Sequence, residues 1–323
     1  GGLGSLTESR CTRPIGNGLK SPAEDTTGGI PVSRALHPQT ATQTEVLGSM
    51  PIVGAISFPN YRRGCAVEKR DGKMAGKVAL VTGAGGGIAR GIARAFAEEG
   101  ANVVITDIFQ EGLDETKAGI ENDYGVEVLD LLVDGADEEK VIGAINQTVG
   151  RFGRLDVIVN CADAGISGVP LLEHTLEHFE LAMSTALYAT FYYMKHGYPD
   201  LKETEGSVIN FGSGAGISGS AGQASYGPAK EGIRSLSRVA ANEWGPDNIN
   251  VNVILPLVMT EKLVAWAEEH PEMYEKNVKA IPLGRFGDAQ KDVGATCVFL
   301  ASPGGSFITG ETIMMQGGSG MRA

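Results

Sequence analysis

Between residues 77 and 315, short apolar runs alternate with longer stretches in which apolar residues recur at helical spacing. In the first of these stretches, Ile88, Ile92, Ala95 and Phe96 share one side of a helix. The apolar runs predict strands over 77–81, 103–106, 126–133, 155–159, 207–211, 249–255 and 312–315. The longer stretches predict helices, notably over 87–99, 139–149, 176–195 and 229–244. This alternation indicates an α/β fold: one doubly wound, parallel, seven-stranded sheet with helices on both faces. A ligand would then bind at the carboxyl ends of the strands.

Residues 1–73 differ from the rest of the chain. They are rich in Gly, Ser, Thr and Pro and show neither strand nor helix periodicity, which predicts a disordered or artefactual extension. Met74 resembles a natural start, so the folded domain is expected over 74–323. A transit peptide is the alternative for the extension, but Glu24, Asp25 and Glu45 argue against it.

Composition excludes several classes of protein. No apolar run is long enough to cross a bilayer, so no membrane partner is expected. The net charge of −12 divides into +3 for residues 1–73 and −15 for the remainder, which argues against nucleic-acid binding. The four cysteines contain no C-x-x-C pair and fit neither a zinc site nor a disulfide framework. A reducing cytoplasm is therefore the expected compartment.

The turn after the first strand has the composition of a phosphate-binding loop. Gly83 and Gly87 stand four residues apart and Ile88 opens the next helix. At a helix N-terminus, free N–H groups favour an anionic diphosphate, and glycine permits its close approach. A merely tight turn remains the alternative, because the spacing is not G-x-G-x-x-G.

Asp107 ends the second strand, 24 residues after Gly83. An acid at this position hydrogen-bonds the adenosine ribose and repels a 2′-phosphate, so NAD is expected rather than NADP. Ile108 follows it, and no Lys or Arg lies between Gly83 and Gly87. The alternative for Asp107 is a cap on the next helix.

Tyr226 and Lys230 lie four residues apart, on one helical face. A free phenol titrates near pH ~10, and a neighbouring ammonium is expected to lower that pKa into a range useful for proton transfer. Ser213, which follows the fifth strand, could hydrogen-bond a substrate oxygen. This combination predicts proton transfer to or from an alcohol or ketone.

With the motifs TGAGGGIA at 82–89, LDVIVN at 155–160, SVINFGS at 207–213 and YGPAK at 226–230, the chain resembles the short-chain dehydrogenase/reductase family from about Lys77 to Gly318. INVNVILP at 249–256 and ITGETIMMQGG at 308–318 complete the match. The resemblance implies a single-domain Rossmann fold and hydride transfer at nicotinamide C4.

The resemblance also assigns roles to residues. It implies that Ser213 polarises the carbonyl, Tyr226 exchanges the proton, and Lys230 tunes Tyr226 and holds the nicotinamide ribose. The remaining residues expected to bind the cofactor are Asp134 at the adenine, Asn160 at the adenosine half, and Pro256, Val258 and Thr260 beyond the sixth strand. A homotetramer or dimer is implied, built on the helices that carry Leu187, Phe191, Ile233 and Leu236.

Several positions depart from the family pattern. Ala89 replaces the last glycine of the first turn, Asp163 replaces the glycine of N-N-A-G, and Ala186 replaces the Asn that anchors a water relay to the lysine. Pro228 lies inside the Tyr-Lys motif and is tolerable only in the first turn of its helix. Beyond the sixth strand, Leu257 replaces a glycine and Thr260 comes one position early.

Two further features have competing interpretations. The string His174-Thr-Leu-Glu177-His178 matches a zinc-hydrolase motif, but an exposed helix start with Thr175 as N-cap is favoured, so no metal is expected. Cys161 is interpreted as a small buried thiol rather than a redox sensor.

The stretch 260–280 carries Trp266, Met273 and Tyr274 and in this family forms a lid over the substrate. Its apolar residues suggest a hydrophobic, cyclic or steroid-like substrate, with ordinary packing as the alternative. The predicted function is an NAD-dependent alcohol dehydrogenase or ketone reductase. A catalytically weak dinucleotide-binding sensor or scaffold is the second hypothesis.

Overall fold

The computed structural model describes residues 72–320 of the chain. The extension predicted over residues 1–73 lies outside the described residues, apart from its last two. Within the described part, no helix combines the length and the apolar character needed to cross a membrane.

Seven strands form one sheet in which every neighbouring pair is parallel. The strands are β1 Val78–Thr82, β2 Asn102–Asp107, β3 Val128–Leu132, β4 Val157–Asn160, β5 Ser207–Phe211, β6 Asn250–Pro256 and β7 Thr312–Met315. Their order is β3-β2-β1-β4-β5-β6-β7. The chain winds outward in both directions from β1 and β4, which leaves a crevice at their carboxyl ends. The predicted doubly wound Rossmann sheet is confirmed.

Helices connect the strands. They are α1 Gly87–Glu98, α2 Gln110–Tyr124, α3 Glu138–Phe152, α4 Leu176–Ala182, α5 Ala189–Thr204, α6 Gly214–Ser218, α7 Tyr226–Trp244, α8 Glu261–Glu269, α9 Pro271–Lys279 and α10 Ala295–Leu300. Two π-helical turns, Met183–Tyr188 and Ala289–Gly294, lead into α5 and α10.

Two apolar cores lie on opposite faces of the sheet because side chains alternate along each strand. In β1, Val81 packs in the same cluster as Phe96 of α1, whereas Leu80 packs in the cluster of Tyr193 and Met194 of α5. All five residues of β1 are buried, as expected for a central strand covered on both faces.

The sequence pattern gave no bounds for α2 and ended the fourth helix too early. Only four residues of α2, Gly112, Leu113, Thr116 and Ile120, are buried, so its apolar periodicity is weak. The helix predicted over 176–195 extends to Thr204, with the π-helical turn Met183–Tyr188 in its middle. Such a single turn with i→i+5 hydrogen bonds interrupts the α-helix locally without ending it.

Candidate active site

The turn between β1 and α1 is shaped for a close approach by a ligand. Gly83 has φ +75°, and a Cβ on it would lie 2.9 Å from the Cα of Ala162 after β4. Thr82 Oγ1 accepts hydrogen bonds from the N–H groups of Cys161 and Ala162, both at 3.0 Å. The ends of β1 and β4 are therefore held together, and only glycine fits between them.

The N-terminus of α1 faces open space. Gly87 has φ +54°, and a Cβ there would find only the Glu261 carboxylate, at 3.9 Å. The N-cap, Gly86, offers no side-chain acceptor to the first turn of α1. Ile88 packs partly buried against the core. Free N–H groups beside glycines that leave room fit the diphosphate of a dinucleotide.

Asp107 binds this turn from the end of β2. Its Oδ2 accepts from the Gly85 N–H at 2.9 Å, and its Oδ1 accepts from the N–H groups of Ile108 and Phe109 at 2.7 and 3.1 Å. The N-cap position of α2 is Phe109, which makes no side-chain cap. A carboxylate has about four acceptor sites, so Asp107 retains capacity for ribose hydroxyls.

Sequence reasoning overlooked a cation beside the turn. Arg90 donates to the Gly85 carbonyl at 2.5 Å, to Thr116 Oγ1 at 2.9 Å and to Glu115 at 3.1 Å. Because Arg90 lies in the first turn of α1, its proximity to Gly85 was a signal available in the sequence. Its guanidinium hydrogen-bonds both the turn and α2 and thereby holds the turn against α2.

The residues predicted at the adenosine half lie at two strand ends. Asp134 follows β3, and its Oδ1 accepts from the Ala136 N–H at 3.0 Å. Asn160 ends β4, but its side chain is 5% exposed and donates to Asn210 Oδ1 at 2.8 Å. The Asn160 side chain thus points into the interior, where its Oδ1 has no hydrogen-bond partner among the described residues, and its backbone is the part nearest the strand end.

The residues predicted near the nicotinamide follow one another at the end of β6. Pro256 is the last residue of that strand. Val258 forms an isolated parallel bridge with Gly287 and is buried. Thr260 is the N-cap of α8, where its Oγ1 accepts from the Leu263 N–H at 3.3 Å. Its hydroxyl therefore anchors the start of the predicted lid.

The structure brings Ser213, Tyr226 and Lys230 together. Ser213 caps α6, accepting from the Ala215 N–H at 3.2 Å, and lies close enough to the Tyr226 phenol to act on its pKa. Tyr226 is the first residue of α7, and Lys230 Nζ lies one turn on, 5.5 Å from the centre of its ring. These groups have the positions needed to exchange a proton with a carbonyl or hydroxyl oxygen.

Lys230 is buried and held from two sides. Its side chain is 2% exposed, and its ammonium donates to the Phe211 carbonyl at 3.1 Å and forms an ion pair with Asp163. Burial alone would lower the pKa of Lys230, but Asp163 and Tyr226 outweigh it and the pKa is raised. Lys230 is accordingly a stable cation beneath the phenol.

The pKa of Tyr226 differs from the sequence-based expectation. Burial raises it above the usual value, Lys230 lowers it, and Asp163 raises it again, while a hydrogen bond with Ser213 acts to lower it. The net direction is upward, so the expected lowering is wrong for this arrangement. The sequence identified the contribution of Lys230 but not the opposing effects of burial and Asp163.

The segment after β4 covers the phenol. A Cβ on Gly165 would lie 3.1 Å from the ring of Tyr226. Gly168 donates to the Gly222 carbonyl at 2.9 Å, and Val169 bridges to Gln223, three residues before Tyr226. The segment 165–169 therefore packs beside the start of α7, with Gly165 against the ring of Tyr226.

The comparisons with known proteins agree with this geometry. The family model described as enoyl-(acyl carrier protein) reductase matches residues 83–320, more than half of the chain. A 12alpha-hydroxysteroid dehydrogenase of a Clostridium species is 51% identical over 76% of this chain and 98% of its own length. The chain belongs to the short-chain dehydrogenase/reductase family. It is an oxidoreductase that acts on CH–OH groups with a nicotinamide cofactor.

Other relatives have different substrates in their names. A 3-oxoacyl-(acyl-carrier-protein) reductase of Thermotoga maritima is 34% identical over 76% of this chain and 98% of its own length. Among solved structures, an NAD+-bound xylitol dehydrogenase has a TM-score of 0.71 and 28% identity, and covers 76% of this chain and all of its own.

The departures from the family pattern have local explanations. Pro228 lies in the first turn of α7, where proline is tolerated, because α7 begins at Tyr226. Ala186 lies in the π-helical turn Met183–Tyr188 and packs in a small apolar cluster with Ala229. At the position where a short-chain dehydrogenase has its relay Asn, this chain has an apolar contact beside Lys230.

The histidine string has a structural role at the start of α4. Thr175 is the N-cap, and the His178 ring accepts from the Thr175 N–H at 3.4 Å to complete a capping box. Within residues 72–320, no group of three His, Cys, Asp or Glu side chains could hold a metal ion. The Cys161 thiol is neutral at ordinary pH, because burial raises its pKa to about 12.

The predicted lid consists of α8 and α9, neither of which buries a residue. Trp266 packs on His270 with ring centres 5.4 Å apart, and Tyr274 stacks on Phe286 at 5.8 Å. Met273 is 57% exposed. Two of the three apolar lid residues therefore pack locally, and Met273 is exposed.

Proposed function

We propose that this chain is an NAD-dependent dehydrogenase of hydrophobic, steroid-like secondary alcohols, and a reductase of the matching ketones. The proposal rests on one observation: Ser213, Tyr226 and Lys230 lie close together at the carboxyl ends of the strands, where the glycine turn also lies. We assign these three residues as catalytic. When bound, the cofactor supplies or accepts the hydride at nicotinamide C4.

The residues handle the oxygen and the proton. In reduction, the hydroxyls of Ser213 and Tyr226 donate hydrogen bonds to the ketone oxygen, and the Tyr226 phenol gives its proton as the alcohol forms. In oxidation, the phenolate takes the hydroxyl proton. The charge of Lys230 stabilises the phenolate in both directions.

Asp107 supports NAD over NADP. Its carboxylate lies at the end of β2 against the Gly85 N–H, where a 2′-phosphate would bring two more negative charges. Arg90 is the nearby cation, and its donors are engaged by the turn and by α2. Gly83, Gly87 and Ile88 would hold the diphosphate.

Further cofactor contacts are proposed for Asp134, for the backbone of Asn160, and for the stretch that contains Pro256, Val258 and Thr260. Each stands at the carboxyl end of a strand or within four residues after one. A parallel sheet gathers these ends at one crevice.

The substrate class rests on one relative and on exposed apolar side chains. The relative named for 12alpha-hydroxysteroids is 51% identical to this chain. Leu171 and Leu172, shortly before α4, and Leu176, its first residue, are 69%, 98% and 69% exposed, and Met273 of the lid is 57% exposed. Exposed apolar side chains suit a rigid apolar ring system better than a small polar alcohol.

A homo-oligomer in the cytoplasm is also proposed, and its contact surface differs from the one expected from the sequence. Leu187, Ile233 and Leu236, expected at the interface, pack inward instead. Phe191 of α5 and Val239 of α7 are 41% and 50% exposed and are the better candidates. Light scattering on the purified chain measures its mass in solution and decides this.

The test is a cofactor-dependence assay. Full-length protein is offered 12α-hydroxysteroids and small polar alcohols with NAD+ or NADP+, and the corresponding ketones with NADH or NADPH. We expect turnover of the steroids with NAD(H), and a loss of roughly a hundredfold or more in Tyr226→Phe. Tyr192→Phe, on α5, is the matched control and should retain activity.

Three results decide against the proposal. Full activity in Tyr226→Phe removes the assigned acid, and a preference for small polar alcohols removes the substrate class. Tight NADH binding without turnover of any substrate favours the catalytically weak sensor instead.

A further inference from the structure

Asp163 is the acidic residue that the sequence places where the family pattern has glycine. It lies in the segment after β4, and its carboxylate forms an ion pair with the Lys230 ammonium. The Asp163 side chain is 27% exposed and that of Lys230 is 2% exposed. The pair thus joins a buried cation to a partly solvated carboxylate.

The contacts of Lys230 leave little freedom to its ammonium. One proton is donated to the Phe211 carbonyl at the end of β5, and the other side is occupied by Asp163. Removing the carboxylate would leave a charge that is nearly inaccessible to water with only a carbonyl partner, which is strongly unfavourable.

Other ionisable groups around the pair do not take over this role. Cys161 and Tyr226 face Lys230 together with Asp163. The Cys161 thiol stays neutral because its pKa is raised to about 12. On the next turn of α7, Glu231 and Arg234 form an ion pair with each other. Within residues 72–320, Asp163 is thus the carboxylate paired with Lys230.

We propose that Asp163 is a positioning residue that acts through Lys230: it fixes the ammonium beside Tyr226 and sets the pH window in which a phenolate and an ammonium coexist. The inference rests on the proposed function, because it assigns Tyr226 the proton and Lys230 the charge that tunes it. Asp163 itself exchanges no proton with the substrate.

The direction of the effect follows from the charges. The carboxylate disfavours a second negative charge on Tyr226 and favours the positive charge on Lys230, so it raises both pKa values. Alcohol oxidation needs phenolate and ammonium together, so activity rises with pH as Tyr226 ionises and falls as Lys230 is neutralised. Without Asp163, both limbs of the pH profile move to lower pH.

The experiment compares wild-type protein with Asp163→Asn, Asp163→Gly and Asp163→Glu. In the first two variants, we expect both limbs of kcat/KM for steroid oxidation to shift down by about one pH unit or more. Asp163→Glu restores the charge and should return the profile towards wild type. Asp123→Asn removes an exposed carboxylate that pairs with Arg94 on α1 and is the charge-matched control.

A second measurement does not depend on turnover. Tyrosinate absorbance after a rapid pH jump, recorded with and without Tyr226→Phe in each background, gives the pKa of Tyr226 itself. We expect a lower value in Asp163→Asn than in wild type, with the thermal midpoint confirming that each variant is folded.

The outcomes separate the inference from the proposed function. An unchanged pKa of Tyr226 in a folded Asp163→Asn variant overturns the role of Asp163, even if wild type turns over steroids. A shifted pKa in a protein that oxidises none of the alcohols supports the charge arrangement and removes the proposed reaction.

Discussion

The carboxylate of Asp107, at the end of β2, accepts a hydrogen bond from the Gly85 N–H in the turn after β1, at 2.9 Å. A Cβ on Gly85 would lie 2.8 Å from the same carboxylate oxygen. The acid and the glycine turn therefore form one unit, in which the residue expected to select the cofactor also fixes the loop expected to hold its diphosphate.

Asp107→Ser should change the cofactor preference. The variant loses the charge that repels a 2′-phosphate and an acceptor for the ribose, so kcat/KM with NAD should fall and that with NADP should rise. Hydrogen bonds to charged groups contribute about 1.5–3 kcal/mol, so the ratio should change by roughly tenfold or more. Steady-state kinetics with both cofactors measure this. Asp114→Ser, on the exposed side of α2, should leave the ratio unchanged.

Gly83→Ala and Gly76→Ala form a matched pair. Both glycines have φ +75°, but a Cβ at Gly83 meets Ala162 at 2.9 Å, whereas a Cβ at Gly76 has nothing within 4 Å. Both variants therefore carry the same strain from an alanine at positive φ, roughly 1–3 kcal/mol. Gly83→Ala should therefore lower the free energy of unfolding more than Gly76→Ala does, and it should also weaken NADH binding. Urea unfolding and NADH fluorescence titration measure the two effects, and equal losses in both variants would contradict the close approach seen here.

Asp156 is a buried carboxylate that joins two strands. Its Oδ2 accepts from the Val78 N–H at the start of β1 at 2.9 Å and from Arg154 Nε at 2.8 Å, and its side chain is 2% exposed. Asp156→Ala leaves that N–H and the guanidinium without their acceptor. The free energy of unfolding should fall by about 3 kcal/mol.

The exposed pair Arg94–Asp123 is the comparison for Asp156. Asp123→Ala should lower the free energy of unfolding by only about 0–1 kcal/mol, because solvent screens that pair. Urea titrations of both variants decide the point. A loss for Asp123→Ala as large as that for Asp156→Ala would mean that burial does not control these two contributions.

Much of this protein could be predicted from local pattern. The strands Ser207–Phe211 and Thr312–Met315 were predicted residue for residue, and every other strand within two residues at either end. The elements that escaped were those whose signal is not apolar periodicity. Helix α2 buries too few side chains, and the π-helical turn Met183–Tyr188 is a single i→i+5 turn within a longer helix.

The residues proposed as catalytic were identifiable because their spacing is local. Tyr226 and Lys230 share one helix, and a separation of four residues fixes their neighbourhood before any tertiary contact forms. The helix, predicted from Ala229, begins at Tyr226, which places Pro228 in the first turn, where alone it is tolerable. Residues that follow strands were also identifiable, because all strands of a parallel sheet have their carboxyl ends on the same side of the domain.

By itself, then, the sequence determined the sheet and the residue types at the carboxyl ends of its strands, since these follow from short-range periodicity. Only the tertiary structure decided which charges meet. Asp163 lies 67 positions before Lys230. The two meet because Asp163 follows β4 and Lys230 follows β5, and these strands are neighbours in the sheet. The ionisation of Tyr226 depends on burial and on distances between such remote groups, and local spacing does not encode either.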